Sequence, residues 1–416
     1  MAPYLIYASN THPTFRIPEL LSLAKFNARR LIARSLSIKG IYALLATGKD
    51  HAALHDALKQ HIEYPFPAYC NVSFKFIVDS FERKRSIADQ QAVINDFAHL
   101  NWQGKIDMKA PDEVFYVFEH WFDTFVLDVE ATLQRVFFTR AVKNASTARS
   151  RGLISQYDLK KREYLGTTSM DAELSLLTAN QILATDGGLV YDPFVGTGSF
   201  LIAASAFGAT CIGSDIDGRQ KDSDLQINIQ TNYDQYDFPH LLLDCLVFDI
   251  KHPPWHTNLQ VDGIATDCPY AIRAGAKTLG RDLSKPKTQK HYADQDRSLP
   301  SRVPQTQGGG FVHQRQDYLP PKKPYELDEM MADLLNTSFT LLKPGARLAV
   351  WLPILPEEDT LPNKLPPSLL NHTGMHLVSD SVQIFSRWSR RLLTFEKVIG
   401  QESIDLDSPQ HSVASA

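Results

Sequence analysis

The 416-residue chain holds only four cysteines, Cys70, Cys211, Cys245 and Cys268, and no CxxC pair. That spacing excludes a zinc knuckle and a disulfide framework, and a reducing compartment is the simpler reading. No window reaches the roughly 18 consecutive apolar residues of a membrane span. The opening "MAPYLIYASNTHPTFR" lacks a basic start followed by a long apolar run, so no signal peptide is read. A strong charge of either sign is also missing, with net charge -4 and pI near 6.4. A near-neutral total neither requires nor excludes RNA as a partner, because a basic face fits within it. The histidines show no ligand spacing, so no metal site is expected. These absences point to a cytoplasmic protein of two or three domains with no membrane association.

What is present is ample core material, 43% hydrophobic residues. In the N-terminal third, "YLIYAS", "VSFKFIVDSF", "EVFYVFEHW" and "TLQRVFFTRAV" read as strands. "IPELLSLAKFNARRLIAR" and "IADQQAVINDFAHL" read as helices. This third is therefore an α+β unit of its own. "KNASTARSRGLISQYDLKKREYLGTTSM" is basic and weakly periodic, and reads as a linker or exposed loop. Beyond it strands and helices alternate: "GGLVYD", "GSFLIAASAFG", "TCIGSDID", then the buried-strand candidates "DGIATD" and "RLAVWLP". That alternation predicts an α/β fold with a parallel sheet covered on both faces. "MHLVSDSVQIF" and "RLLTFEKV" flank the basic turn "SRWSRR" and predict a terminal antiparallel hairpin. The polar, Pro- and Gly-rich stretch 274–325 offers little core and reads as a mobile insertion.

Two stretches carry chemistry. "YDPFVGTGSFL" ends a strand at Asp192, turns through Gly196 and Gly198 and opens a helix near Ser199. Glycines there let a ligand approach the backbone closely. The next strand ends in "GSDID", and Asp215 stands where an acid accepts from ribose hydroxyls. "LLLD" ends at Asp244, where an adenine amine needs an acceptor. A nicotinamide dinucleotide fits less well, because Leu201 replaces the third glycine of GxGxxG. The loop also begins with a carboxylate, which repels a pyrophosphate but attracts the sulfonium of S-adenosylmethionine (SAM). A tight strand-to-helix turn without a ligand is the competing reading.

The second stretch is "TDCPYAIR", Thr266–Arg273. It resembles the (Asp/Asn)-Pro-Pro-(Tyr/Phe) motif of methyltransferases that act on planar amines. A ring-conjugated amine is a poor nucleophile because its lone pair is delocalised. A carboxylate from Asp267 and the Cys268 carbonyl can accept its two hydrogens and localise that pair, while Tyr270 stacks on the base. Methyl transfer is then governed by positioning and electrostatics. Cys268 stands where the motif usually has proline; the carbonyl survives, and Pro269 still keeps residue 268 extended. Cys268 is not read as a nucleophile.

With these residues in view, the chain resembles the family of tRNA methyltransferases that modify the exocyclic N2 amine of guanine at position 10. The resemblance runs through "FRIPELLSLAKF", "SFKFIVDSF", "GKIDMKAPDEVFYVFE", "KKREYLGTTSMDAELSLLTAN", "DPFVGTGSFL", "GSDID", "TDCPYAIRAGAKTLG" and "RRLLTFEK". It implies an N-terminal and THUMP RNA-binding region over 1–150 that grips the tRNA acceptor end. It further implies a linker at 151–166, a Rossmann-like SAM-dependent methyltransferase domain over 167–400, and a disordered tail at 401–416. A small zinc-binding activator protein is implied as the partner in a heterodimer. Asp192, Phe194, Gly196, Gly198, Ser199, Asp215 and Asp244 are implied to hold SAM, with Thr168 and Met170 lining its site. Asp267, Cys268, Pro269 and Tyr270 are implied to hold the base. Lys160, Lys161 and Arg162, and Arg273 and Lys277 beside the catalytic motif, are candidate phosphate contacts; a solvated charged face is the plainer reading of the first three.

Other functions share parts of this pattern. Guanine-N2 methylation at another RNA position would use the same two regions. Adenine methylation in DNA, or methylation of a protein glutamine, would leave the N-terminal third without a task. The cysteine in the motif also allows a catalytically weak RNA-binding subunit.

Overall fold

The computed structural model describes residues 3–9, 11–26, 34–60, 69–81, 83–122, 132–142, 148–217, 228–256, 258–269, 276–280, 321–354, 372–385 and 388–398. The chain divides into two compact units, Met1–Leu153 and Ile154–Ala416.

The first unit is one sheet of β1 (Tyr4–Ala8), β2 (Ile38–Gly48), β3 (Phe74–Phe81), β4 (Glu113–Phe122) and β5 (Thr132–Ala141), ordered β1-β2-β5-β4-β3. With it go α1 (Arg16–Ala24), α2 (His51–Gln60) and α3 (Ile87–Asn95). β3 and β4 are parallel, with α3 in the connection; the other pairs are antiparallel. Phe74, Phe76, Phe97, Phe115 and Phe138 are buried together. Each contributes roughly 1.5–3 kcal/mol by leaving water. Near the end of β4 the buried Glu119 carboxylate accepts from His51 Nε2, Ser80 Oγ, Trp121 Nε1 and both Nε and Nη2 of Arg85, at 2.6–3.1 Å. Burial alone would raise its pKa, but these donors outweigh that and hold it well below the usual carboxylate range. The four strands anticipated here are present, as is the helix over 87–95; of the helix anticipated over 17–34 the structure shows Arg16–Ala24, and residues 27–33 lie outside the described ones, while β2 and α2 were not anticipated. β2 is half-buried along most of its length, so it shows little polar–apolar alternation, and α2 buries only Leu54 and Leu58.

The second unit contains α4 (Ala148–Gln156, which begins in the first unit), α5 (Ala172–Gln181), β6 (Leu189–Asp192), α6 (Ser199–Ser205), β7 (Thr210–Asp215), α7 (Ile229–Gln235), β8 (Leu242–Val247) and β9 (Val261–Asp267). It continues with β10 (Lys277–Leu279), β11 (Lys322–Pro324), α8 (Leu327–Leu341), β12 (Leu342–Ile354), β13 (Met375–Ile384) and β14 (Ser389–Lys397). Seven strands form a sheet ordered β13-β14-β12-β9-β6-β7-β8. β8, β7, β6, β9 and β12 are parallel, and the hairpin β13–β14 adds β14 antiparallel to β12. Alternation along β12 shows both faces covered. Leu348, Val350 and Leu352 join the cluster formed with Met330, Met331, Leu334 and Leu335 of α8. Trp351 turns the other way and donates from Nε1 to Thr178 Oγ1 of α5. The order reverses at β6, so a crevice opens beyond the ends of β6 and β9, where ligands bind in doubly wound sheets.

Two expectations are corrected. The segment 151–166 is not a linker. It is the end of α4, a short 3-10 turn and a strap fixed to α7: Tyr164 N donates to Asn232 Oδ1, Asn232 Nδ2 returns to Tyr164 O, and Gln235 Nε2 donates to Lys161 O. The insertion 274–325 is ordered at both ends, where β10 and β11 pair antiparallel; residues 281–320 lie outside the described ones. β7 is an interior strand, flanked by β6 and β8. The tail 401–416 also lies outside the described residues.

Candidate active site

Gly196 and Gly198 take φ of 47° and 78°, in the left-handed region that other residues enter only with strain. A Cβ on Gly198 would also stand 3.1 Å from Ile229 Cγ2. Gly196 N donates to Asp215 Oδ2 at 3.1 Å, which binds the loop to the end of β7. Asp217 N occupies Asp215 Oδ1. Burial raises the Asp215 pKa from its ordinary value, against these amide donors. Before the loop, Asp192 Oδ1 accepts from Phe194 N at 3.0 Å and from Thr266 Oγ1 at 2.7 Å. The Thr266 bond ties the end of β6 to the end of β9.

The two acids thus brought together are each left one oxygen short of partners. Asp192 Oδ2 and Asp267 Oδ1 are sealed from solvent and have no hydrogen bond. Burial pushes Asp192 up to about 7 and Asp267 up to about 8; the Asp215 charge adds to the first shift and the Asp192 charge to the second, which Arg390 opposes. Two buried carboxylate oxygens without donors are costly unless a cation or donors arrive. The site therefore suits a ligand with a positive charge near Asp192 and N–H donors near Asp267, and the SAM sulfonium with a substrate amine fits that demand.

The remaining expected residues are distributed as follows. Phe194 is half-buried and packs on the α8 cluster. Cys268 is buried, its Sγ lies 3.8 Å from Met331 Sδ, and burial raises its pKa well above the ordinary value. Its side chain thus belongs to the core and is no thiolate nucleophile. Pro269 follows it and is half-buried, while Tyr270 and Arg273 lie outside the described residues. Thr168 is exposed on the turn 166–170, which meets the glycine loop through Ser169 Oγ and Thr197 Oγ1 at 2.8 Å. Met170 is buried. Lys160, Lys161 and Lys277 are exposed, with Lys161 Nζ donating to Ser155 O.

Three placements differ from expectation. Arg162 is buried, and its Nη1 donates to Ser199 Oγ at 2.9 Å, so it holds the strap to α6 and is not on the surface for a phosphate. The same bond engages the Ser199 hydroxyl inside the protein. Asp244 does not end its strand: it is exposed in mid-strand beside Ile212, and β8 runs on to Val247. The acid beyond that end is Asp249, buried, accepting from Thr278 Oγ1 at 2.5 Å, Leu279 N at 2.7 Å and Lys251 N at 3.1 Å. It pins the β10–β11 ribbon. The reading of the sequence missed Asp249, although the apolar run "LLLDCLVF" continues past Asp244 and was a signal for it.

Comparison with known proteins agrees with this architecture. A family model described as the Tmrp11 THUMP N-terminal domain matches residues 25–147, and one described as an RMKL-like methyltransferase domain matches residues 159–291. The tRNA (guanine(10)-N(2))-methyltransferase of Schizosaccharomyces pombe is 35% identical over 92% of this chain and 75% of its own. The protein of that name in Saccharomyces cerevisiae is 35% identical over 95% of this chain and 93% of its own. Among solved structures, TrmN from Thermus thermophilus is 15% identical with a TM-score of 0.39, covering 95% of this chain and 99% of its own. By the extent and level of identity to the two yeast proteins, this chain belongs to the tRNA (guanine(10)-N(2))-methyltransferase family.

Proposed function

We propose that this protein transfers a methyl group from SAM to the exocyclic N2 amine of guanine 10 in tRNA, as the catalytic subunit of a heterodimer. The family membership supports the substrate, and the two incompletely bonded carboxylates, Asp192 and Asp267, carry the chemistry. SAM supplies an electrophilic methyl on a sulfonium. Asp192 Oδ2 faces that charge. Asp215 accepts from the ribose, with Gly196 holding its carboxylate in place. Gly196 and Gly198 keep the loop free of side chains, and Phe194, Thr168 and Met170 border the cofactor. Asp267 Oδ1 and the Cys268 carbonyl accept the two amine hydrogens, which localises the nitrogen lone pair for in-line attack. Pro269 fixes that carbonyl and Tyr270 stacks on the base. The first unit, with its THUMP region, holds the tRNA; the exposed Lys160, Lys161 and Lys277, with Arg273, reach its phosphates.

Asp215→Ala is expected to weaken SAM binding and leave tRNA affinity unchanged. Calorimetry with SAM and a filter-binding assay with tRNA check this; an unchanged SAM dissociation constant would remove Asp215 from the cofactor site.

The activator is proposed to bind an edge of the seven-stranded sheet. The edges are β8 and β13. β8 adjoins the strand that carries Asp215 and exposes Leu243 and Val247, an association hazard for a subunit on its own. A partner strand added there would cover both residues and brace the ribose-binding end of β7. The test is co-expression with the zinc-binding activator, then labelled SAM, several tRNA transcripts and mapping of the methylated nucleotide. The subunit alone is expected to be poorly soluble and nearly inactive, and Leu243→Lys is expected to prevent its rescue. A monodisperse, fully active lone subunit would refute the heterodimer. Methyl transfer to another nucleotide would refute the guanine 10 assignment.

A further inference from the structure

We propose that Arg390 is a positioning residue for methyl transfer: held on the ring of Trp351 beside the end of β9, its guanidinium favours the ionised form of Asp267, the form that accepts from the substrate amine. The proposal rests on the function given above, because it assigns Asp267 the acceptor role.

Strand register places these residues together. Asp267 pairs with Trp351 on β12, and on the other side of β12 Trp351 pairs with Leu392 and Pro353 with Arg390. Paired residues and their i±2 neighbours point to one face of a sheet. Asp267, Trp351 and Arg390 therefore share the α5 face, at the end of the sheet where the crevice opens. Trp351 is fully buried and its indole is fixed by the bond to Thr178. The Arg390 guanidinium carbon lies 4.8 Å from the Trp351 ring centroid and 5.5 Å from that of Phe385. Phe385 is itself stacked on Trp388 at 4.4 Å. Arg390 Nε donates to Gln383 Oε1 at 2.7 Å. Stacking and this bond immobilise the fork, and its Nη groups make no hydrogen bond among the described residues, which leaves their charge to act on Asp267 and Asp171.

The electrostatic surroundings of Asp267 give that charge its importance. Asp192 from β6 opposes ionisation of Asp267, and the adjacent Cys268 thiol is held neutral by burial. Arg390 from β14 acts in the other direction. Asp171, the N-cap of α5, also attracts Arg390, but its own Oδ1 already accepts from Glu173 N and Leu174 N. A protonated Asp267 would lose acceptor capacity and present a hydroxyl to the amine. Burial pushes this acid up to about 8 even with Arg390 beside it, so loss of Arg390 raises it further and leaves still less carboxylate at neutral pH.

The test compares wild type, Arg390→Lys and Arg390→Gln as the full chain with its activator, measuring kcat/KM on tRNA from about pH 6 to 9. The acidic limb reports the ionisation of Asp267. For Arg390→Gln the rate is expected to fall about tenfold at pH 7 and to recover towards wild type by pH 9, with the limb moved up by about one pH unit. Arg390→Lys is expected to restore most of the rate at pH 7. A uniform loss at every pH in both variants would show a merely structural role and overturn the proposal. A second readout needs no RNA: the carboxyl 13C signal of Asp267, assigned by its absence in Asp267→Asn, is titrated in the wild type and in Arg390→Gln. A higher midpoint in the variant supports the coupling even if the wild type fails to methylate tRNA, which would refute the assigned substrate alone. An unmoved midpoint in a protein that methylates tRNA refutes the Arg390 role and leaves the function standing.

Discussion

Asp267→Ala is expected to lower kcat for methyl transfer by at least tenfold while SAM binds almost as in the wild type. The Asp267 carboxylate has one oxygen buried and without a partner, at the strand end where the substrate amine is proposed to enter. Its bond to that amine strengthens as the nitrogen lone pair localises and positive charge develops, so the interaction is strongest in the transition state. A charged hydrogen bond of that kind contributes more than about 1.4 kcal/mol, which is the tenfold factor. Single-turnover kinetics with saturating SAM and tRNA isolate the chemical step. A variant that keeps more than about a tenth of the wild-type rate would take Asp267 out of the reaction.

Asp192→Asn is expected to separate stability from cofactor binding, with opposite signs. Burial raises the Asp192 pKa from 3.8 to about 7. A group raised in the folded state contributes stability that is fully present below the unfolded pKa and is lost as pH rises through the folded value. The wild type without SAM therefore loses stability between about pH 4 and 8 from this residue, and Asp267, raised to about 8, acts in the same direction. Asparagine retains an oxygen for Phe194 N and Thr266 Oγ1 and carries no charge. The variant should accordingly melt higher than the wild type at pH 8, by roughly 2–4 °C per kcal/mol relieved, and lose that advantage by pH 5. Its SAM affinity should drop by about tenfold or more, because the charge facing the sulfonium is gone. Thermal melts at pH 5 and 8 and calorimetry with SAM measure both effects. Equal destabilisation at the two pH values, or unchanged SAM affinity, would contradict this account of Asp192.

These two variants concern residues that were legible in the sequence, and the reason is local. "DPFVGTGS" and "TDCPY" concentrate their chemistry within a few residues: positive-φ glycines, an acid at a strand end, a proline after the acceptor carbonyl. The parallel strands were legible as well, because strands covered on both faces are short, almost continuously apolar runs, as in "GGLVYD" and "DGIATD". β2 was not, because a half-buried strand with glycines at both ends of its pattern resembles neither template.

Charge without burial misled in both directions. Arg162 stands in a basic run, yet it folds inward onto Ser199, whereas Lys160 and Lys161 beside it remain outside. Arg390 belongs to a basic stretch read as a turn, without a functional reading, yet it stands on β14 and rests on Trp351, the partner of Asp267. The local pattern is much the same for all four.

The amino-acid sequence by itself determined the fold class, the glycine loop and the family, because each depends on residue types at fixed short spacing. Tertiary structure alone decided that β8 rather than β7 forms an edge, that Asp244 lies in mid-strand, and that Asp192, Asp267 and Arg390 come to the same end of the sheet from three different strands. Strand order and burial arise from pairing between segments far apart in the chain. Hydrophobic periodicity sets which face of an element turns inward, but it does not specify which element lies beside it.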